Sequence, residues 1–277
     1  MRPSEAPGSI DVPVRTFSYD SGASGPELTR AVAVEAPVQI VIGGAPFAVM
    51  MATPQDFEDF ACGFALTEQI AESVADIRGV EVERVEEGWK LKIALSSERL
   101  QAHLARGRAM SGRTGCGLCG IEDFSQMPSP RPPLHPQAPI APAAIRAALE
   151  ALETRQPLNQ LTHAVHAAAW VARDGAIVLV REDVGRHNAL DKAIGALLRA
   201  GVARDSGFFV ITSRCSFEMV AKTAIFGAGT LVSVSAPTSL ALERAERFGV
   251  RLIAVARRDQ ALCFEERKDG ASGGLAA

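Results

Sequence analysis

Apolar and polar residues first follow a regular period near residue 29. From there β-branched and other apolar residues recur as they do in strands, and Gly43-Gly44 interrupts them as a hairpin turn would. Residues 1–28 mix proline, glycine, serine and charge without a clear period, and we expect them to be mobile. The predicted strands of this first part cover residues 31–36, 38–42, 47–51, 80–85 and 89–95.

A helix is predicted between these strands. Thr53 offers a hydroxyl cap, Pro54 suits the first helical position and Asp56 adds an acid to the first turn. We therefore expect the helix to begin at Thr53 and to end near residue 71, with its regularly spaced aromatic residues facing the core. Residues 29–110 are predicted to form an α+β N-terminal domain.

A second pattern begins after residues 128–142, which cannot form a helix interior or a central strand because seven of these fifteen residues are proline. Beyond them strand and helix patterns alternate, which is typical of a three-layer α/β sheet. The predicted strands cover residues 165–171, 176–180, 208–212, 231–235 and 250–255, and the predicted helices cover residues 143–154, 186–199, 217–226 and 238–248. The predicted divisions are a cysteine loop and linker at residues 111–142, an α/β domain at residues 143–267 and a mobile tail at residues 268–277.

Composition narrows the classes of function. The 277 residues carry a formal charge of -3 at pH 7, so the net charge does not favour general binding to nucleic acid or to anionic membranes. The sequence shows no export signal and no run of about 18 uncharged apolar residues, so we expect a cytoplasmic protein without a nucleic-acid or membrane partner. Five cysteines in such a chain argue against a disulfide framework. Cys62, Cys215 and Cys263 lie in apolar runs and are expected to be buried.

Cys116 and Cys119 stand apart from the other cysteines. Glycine lies on both outer sides of the pair and a third glycine lies between them, so the backbone is free to present sulfur openly. Arg113 places a cation nearby, which favours the nucleophilic thiolate. Zinc binding by these thiols with His103 and His135 is an alternative, but no second Cys-x-x-Cys is present and we predict no metal site.

Two strand-to-helix segments of the second domain are dense in polar residues. The carboxyl ends of strands in α/β sheets usually hold ligands, and an arginine beside a helix N-terminus suits phosphate or pyrophosphate. Helix capping with solvated arginines is the alternative explanation. His166, on a predicted strand, is either an interior residue or part of the same site. The candidate anion-binding residues of the two segments are Arg186, His187, Asn188, Ser213, Arg214 and Ser216.

These stretches together resemble the FdhD family, the formate dehydrogenase accessory sulfurtransferases. The resemblance rests on Gly-Cys-Gly-Leu-Cys-Gly at residues 115–120, Glu-Asp-Val-Gly-Arg-His-Asn-Ala-Leu-Asp-Lys at 182–192, Ser-Arg-Cys-Ser-Phe-Glu-Met-Val at 213–220 and Ser-Ala-Pro-Thr-Ser-Leu-Ala at 235–241. The helix at residues 56–68 resembles the family's N-terminal signature. The resemblance extends from about residue 31 to residue 264.

The resemblance implies a protein that takes persulfide sulfur from a cysteine desulfurase and passes it to the molybdenum cofactor, in its bis-guanine dinucleotide form, for formate dehydrogenase. It implies Cys116 as the residue that bears the persulfide, Cys119 as its partner, a homodimer, and a C-terminal domain with the cytidine deaminase fold. A GDP-like nucleotide would occupy the site of the cofactor. The implied cofactor-contacting run is Val255, Ala256, Arg257, Arg258, Asp259 and Gln260, in which Arg257-Arg258-Asp259 replaces the family's usual Lys-Pro-Gly.

Two other functions would use the same residues. In a non-covalent cofactor-binding chaperone, the arginine segments would bind the cofactor and the cysteines would have no role in the function. A thiol–disulfide oxidoreductase would use the cysteines, but its motif normally opens a helix directly after a strand, whereas this loop leads into proline. The zinc deaminase signature is absent from residues 143–267, so deamination is not expected despite the implied fold.

Overall fold

A computed structural model describes residues 2–3, 8–107, 129–130, 133–257 and 259–264. These residues form a mixed α/β fold with three sheets, which confirms the predicted fold class. The strands are β1 (Arg2–Pro3), β2 (Ser9–Phe17), β3 (Ser24–Ala33), β4 (Ala36–Ile42), β5 (Ala45–Ala52), β6 (Ile77–Val85), β7 (Gly88–Leu95), β8 (His166–Ala172), β9 (Ile177–Asp183), β10 (Gly207–Ile211), β11 (Thr230–Ser233), β12 (Arg251–Ala254) and β13 (Leu262–Phe264). The helices are α1 (Phe57–Thr67), α2 (Ser97–Gly107), α3 (Pro142–Leu152), α4 (Pro157–Thr162), α5 (Arg186–Arg199), α6 (Phe217–Phe226) and α7 (Ser239–Phe248). None of the helices in these ranges is long and apolar enough to cross a lipid bilayer.

The first sheet includes residues before residue 29, where no strand was predicted from the sequence. Strands β2 and β3 form an antiparallel hairpin, and β1 pairs with the start of β2. Ile10, Val12 and Val14 alternate with Asp11 and other polar or proline residues, so the two-residue period of a strand begins well before residue 29. The sequence pattern was present but was masked by its many charged and turn-forming neighbours.

The second sheet has the strand order β5-β4-β7-β6 and packs against α1. Helix α1 begins at Phe57, so the prediction of a start at Thr53 is wrong. The reason is that Thr53 is fully buried and its hydroxyl accepts a hydrogen bond from Val184 N, 3.1 Å away, instead of capping the helix. Asp56 precedes α1 in a left-handed conformation and makes no side-chain cap. Helix α2 was not predicted.

The third sheet has the order β13-β12-β11-β10-β8-β9, with β10, β11 and β12 parallel to one another. Residues of α5, α6 and α7 pack against one face and residues of α3 against the other, which gives the predicted three layers. Cys62 and Cys215 are buried as expected, and burial raises their thiol pKa to about 11 and about 12. Cys263 is exposed, contrary to expectation, because β13 is the edge strand of this sheet.

Helices α1 and α5 join the second and third sheets through a crossing at two glycines. A Cβ atom added to Gly63 would lie 1.8 Å from the carbonyl oxygen of Asp191, and one added to Gly195 would lie 1.8 Å from that of Asp59. No side chain fits at these distances, so the two backbones touch directly. The Asp59 carboxylate also accepts hydrogen bonds from Arg181, at 2.7 Å, and from Arg199, at 2.6 Å, which fixes the angle of the crossing.

We expect Gly63→Ala to lower the free energy of unfolding by about 2–3 kcal/mol, because the added methyl group must push the α5 backbone away. Gly79→Ala is the control, since a Cβ at Gly79 meets nothing within 4 Å, and it should change stability by less than about 0.5 kcal/mol. Urea unfolding followed by circular dichroism measures both. A Gly63→Ala variant as stable as the wild type would show that the helices do not cross at this residue.

Candidate functional site

One edge of the third sheet collects the polar segments that the sequence predicted. His166 begins β8 and pairs with Asp183 at the end of β9. On the other side of β8, the Thr212 hydroxyl accepts a hydrogen bond from Ala167 N at 2.9 Å, and Thr212 N donates to Ala167 O at 3.0 Å. The segments after β9 and β10 therefore lie on either side of His166.

Cations surround two neutral imidazoles at this edge. Burial lowers the pKa of His166, and the charges of Arg186 and Arg214 lower it further, against the opposing effect of Asp183. Burial lowers the pKa of His187 to about 3, and Lys222, Arg186 and His166 act in the same direction. Both imidazoles are therefore uncharged at neutral pH.

Arg186 and Arg214 form no ion pair within the ranges that the structure describes. Four buried polar atoms in this region also lack a hydrogen-bond partner among the described residues, although buried polar atoms are normally paired. They are Arg186 Nε, His187 Nε2, Ser216 Oγ and Glu218 Oε2.

The helices that start here are left open to a ligand. Helix α5 begins after Gly185 and α6 after Ser216, and neither residue supplies a side-chain cap. Helix α7, which follows the next strand, is capped in the ordinary way, since the Thr238 hydroxyl accepts a hydrogen bond from Ala241 N at 3.3 Å. The N–H groups at these two helix N-termini, next to arginines that form no ion pair in the described ranges, have the chemistry that suits an anion.

Buried contacts with Thr53 hold the segment after β9 in place. Asp183 and Lys192 form an ion pair of 2.7 Å, and both side chains are fully buried. Asp183 accepts a hydrogen bond from Thr53 N at 3.0 Å, and Lys192 donates to Thr53 O at 2.9 Å. The position of the candidate ligand site therefore depends on a residue of the N-terminal part of the chain.

Asn188 and Ser213, two of the predicted binding residues, use their side chains within the protein. Asn188 is buried, and its amide nitrogen donates to Met51 O at 2.8 Å and to Asp183 Oδ1 at 3.0 Å. The Ser213 hydroxyl donates to the carbonyl oxygen of Arg214 at 3.0 Å. Both contacts shape the segments that carry the arginines, and direct binding by these two residues stays a prediction.

The implied cofactor-contacting run reaches the same edge. Val255 N donates to Ser235 O at 3.2 Å, and Ala256 N donates to Ser233 O at 3.1 Å. Val255 has a φ of 51°, a left-handed conformation that β-branched residues rarely adopt, and such strain is concentrated at functional sites.

The rest of this run is exposed where it is described. The Arg257 guanidinium donates to Val234 O, while Asp259 and Gln260 face solvent. Arg258 lies outside the described residues, as do Cys116 and Cys119. Among the residues that are described, no three His, Cys, Asp or Glu side chains come together as a metal site would require.

Lys222 belongs to this region but was not predicted. It is buried in α6 and pairs with Asp191 at 2.8 Å and with Glu68 at 3.3 Å. Burial disfavours the charged form of Lys222, but the two carboxylates more than offset this and raise its pKa. A single lysine inside the apolar pattern of a helix was the available signal, since such a charge must find a buried partner.

Gln69, next in the chain after Glu68, connects this region to the end of the cysteine-containing stretch. Its side-chain nitrogen donates to Ser129 O at 2.8 Å. The first described residue after residues 108–128 therefore lies beside the end of α1. A cavity of about 380 Å³ elsewhere, lined by Gln55, Arg155 and strand β9, does not include these candidate residues.

The low pKa of His187 predicts a pH dependence of stability. In the unfolded chain His187 protonates near 6.5, whereas in the folded protein it stays neutral down to about 3. The folded state therefore binds fewer protons between these values, and stability is lost as the pH falls. Between pH 7 and pH 5.5 we expect this residue to account for a loss of about 1 kcal/mol.

Urea unfolding of the His187→Gln variant at the two pH values measures this contribution, because the variant should lose less stability on acidification than the wild type. His135→Gln, at an exposed position, is the control and should keep the wild-type pH dependence. An unchanged pH dependence in His187→Gln would mean that His187 is not buried in neutral form.

Comparison with known proteins agrees with the resemblance seen in the sequence. The chain matches the FdhD/NarQ family model over residues 33–269. It is 47% identical over 251 residues to the sulfur carrier protein FdhD of Xanthomonas axonopodis pv. citri, covering 91% of this chain and 88% of the relative. It is 47% identical over 226 residues to the sulfur carrier protein FdhD of Cupriavidus necator, covering 82% of this chain and 78% of the relative.

A solved structure shows the same fold. The crystal structure of a Desulfotalea psychrophila protein, described as a formate dehydrogenase accessory protein, superimposes with a TM-score of 0.70 at 25% identity, covering 94% of this chain and 98% of that one. The family model spans most of the present chain, and its relatives share nearly half of the aligned residues. The chain therefore belongs to the FdhD/NarQ family, the sulfur carrier proteins associated with formate dehydrogenase.

Proposed function

We propose that this protein is a sulfurtransferase that accepts persulfide sulfur on Cys116 from a cysteine desulfurase. It passes this sulfur to the molybdenum cofactor, in its bis-guanine dinucleotide form, which formate dehydrogenase requires. The observation that carries the proposal is the sheet edge where Arg186 and Arg214, which form no ion pair in the described part of the protein, lie beside two helices without a side-chain cap. Such an edge suits a substrate with several phosphate groups. The sulfur transfer in the proposal is inferred from the family to which the chain belongs.

The residues of the edge fit the chemistry of a dinucleotide substrate. Pyrophosphate oxygens accept hydrogen bonds from helix N–H groups and from arginine, and the N-termini of α5 and α6 offer both. Because His187 is neutral, one of its nitrogens can accept a hydrogen bond and the other can donate one, whereas a cationic side chain can only donate. GDP carries the same pyrophosphate and base as half of this substrate, so we expect it to bind the same site.

The sulfur transfer itself needs only thiol chemistry. The Cys116 thiolate attacks the outer sulfur of the desulfurase persulfide, the S–S bond breaks, and the desulfurase cysteine leaves as a thiolate. Cys116 then carries the outer sulfur as its own persulfide. Attack by Cys119 on the inner sulfur forms a Cys116–Cys119 disulfide and releases hydrosulfide for the bound substrate, after which a thiol reductant restores the two thiols. The substrate must therefore be held close to this pair.

We expect Arg214→Ala to weaken GDP binding about tenfold, since one charge-assisted contact to phosphate contributes roughly 1.5 kcal/mol. Isothermal titration calorimetry measures the dissociation constant. Arg146→Ala removes an exposed arginine from α3, on the opposite face of the sheet, and is the control with unchanged affinity. Equal affinities of the two variants would place the nucleotide elsewhere.

We expect Cys116→Ala to abolish activation of formate dehydrogenase while GDP affinity remains that of the wild type. After incubation with a cysteine desulfurase and cysteine, the wild type should gain the mass of one sulfur atom at Cys116, as measured by peptide mass spectrometry, and the variant should not. Cys62→Ala is the control, because Cys62 is buried and its thiol pKa is raised to about 11. Full activation by Cys116→Ala would favour a chaperone that binds the cofactor without covalent sulfur transfer.

A further inference from the structure

Strand β9 is an open edge of the third sheet. In the described part of the protein it pairs with β8 and has no strand on its other side. Edge strands are normally protected by charge, by proline or by a covering element, because their unpaired backbone groups attract another strand. The first four residues of β9 are Ile-Val-Leu-Val, and Val178 among them is 54% exposed. This part of the edge therefore lacks the usual protection against pairing.

The alternation of hydrogen bonds shows which residues of β9 face outward. On β8, the backbone groups of Ala167 bond to the segment that follows β10, so those of the next residue, Ala168, are directed to β9. Ala168 lies opposite Arg181, whose backbone groups therefore point inward to β8. Val180 and Glu182, on either side of Arg181, consequently direct their N–H and C=O groups away from the sheet. A further strand would pair with these groups.

The cavity of about 380 Å³ lies along this edge. Residues 178–182 of β9 line it, together with Gln55 and Asp56 before α1 and Arg155 and Pro157 before α4. Its volume is within the range of ligand-binding clefts. At about 3.3 Å per residue, the lining part of β9 is roughly 13 Å long. An extended peptide of about five residues matches this length.

The acids of the cavity already have partners within the protein. Asp56 lies 3.6 Å from the guanidinium group of Arg181. The carboxylate of Glu182 accepts hydrogen bonds from Leu158 N at 3.0 Å and from Asn159 N at 2.8 Å. Neither acid is therefore free to neutralise the second arginine of the cavity.

That second arginine, Arg155, is the cation available to an incoming acid. Arg181 pairs with Asp59 at 2.7 Å, whereas Arg155 is exposed and forms no ion pair within the described ranges. The Arg155 guanidinium donates to Ile177 O at 3.4 Å, which places it at the start of the open edge. A guanidinium group in this position favours a carboxylate on the bound chain.

We propose that the outer edge of β9 binds an extended peptide of another protein, which adds to the sheet as a further strand and places an acidic side chain beside Arg155. Backbone pairing with Val180 and Glu182 supplies affinity, and the acidic side chain supplies selectivity. The inference does not depend on the proposed sulfur transfer, because the cavity includes none of the candidate anion-binding residues.

Two fluorescein-labelled peptides with blocked ends, Thr-Val-Glu-Val-Thr and Thr-Val-Lys-Val-Thr, test the proposal in fluorescence polarisation titrations with the full chain. We expect the glutamate peptide to bind at least about fivefold more tightly than the lysine peptide, because the two side chains carry opposite charges beside Arg155. Arg155→Ala should abolish this difference. Arg146→Ala is the matched control, since it removes an exposed arginine of α3 that does not line the cavity, and it should keep the difference.

A glutamate peptide with N-methyl groups on all its amides keeps its side chains but cannot donate backbone hydrogen bonds, and it should not bind. In hydrogen–deuterium exchange, the unmodified glutamate peptide should slow exchange within residues 177–183. Equal binding of the methylated peptide, equal affinities of the two charged peptides for the wild type, or no binding of either would overturn the proposal. Protection of residues 177–183 that grows with protein concentration in the absence of peptide would overturn it as well, because a second copy of the chain would then occupy the edge.

Discussion

The buried ion pair of Asp183 and Lys192 is the interaction on which the candidate site depends. Removing two charges from water costs several kcal/mol each, and this cost is offset only when the charges meet each other and further hydrogen-bonding groups. Here the backbone of Thr53 supplies the further hydrogen bonds. Its N–H donates to the Asp183 carboxylate, and its carbonyl oxygen accepts from the Lys192 ammonium group. The end of β9 is therefore correctly placed only when the N-terminal part of the chain is folded against it.

The dense polar stretch at residues 182–192 divides into two roles along the start of α5. Asn188, Asp191 and Lys192 are buried and bind groups of α1, α6 and the segment before α1. Arg186 and His187, one turn earlier, keep polar atoms without a partner in the described part of the protein. The same stretch therefore contains both the buried residues that hold this sheet edge in place and the polar groups that remain available to the proposed ligand. This explains why it contains more polar residues than helix capping requires.

Local patterns predicted the second half of the fold well and the first half less completely. The bounds of α5 and α6 agree with the predicted ranges 186–199 and 217–226, because each helix combines a polar start with an apolar stripe. The predicted helix start at Thr53 failed because its capping signal is local, whereas its actual partner Asp183 lies 130 residues away. The hairpin of β2 and β3 was missed because its alternating residues Ile10, Val12 and Val14 stand among charged and turn-forming residues that hide the period of a strand.

The charge balance at the sheet edge explains how a cationic site is kept available. Lysines pair with three of the acids in this region, Asp183, Asp191 and Glu68, whereas Glu218, in the first turn of α6, forms no ion pair among the described residues. Sequence composition could not show this, because it reveals the arginines and the acids but not which cation each acid meets. Since the lysines occupy these three carboxylates, Arg186 and Arg214 form no ion pair within the described ranges, and the neutral imidazoles near them add no further repulsion. The proposed substrate is a polyanion that must bind and later leave, and such a limited positive charge suits it, because arginines already paired within the protein would not bind it and additional cations would hold it more tightly.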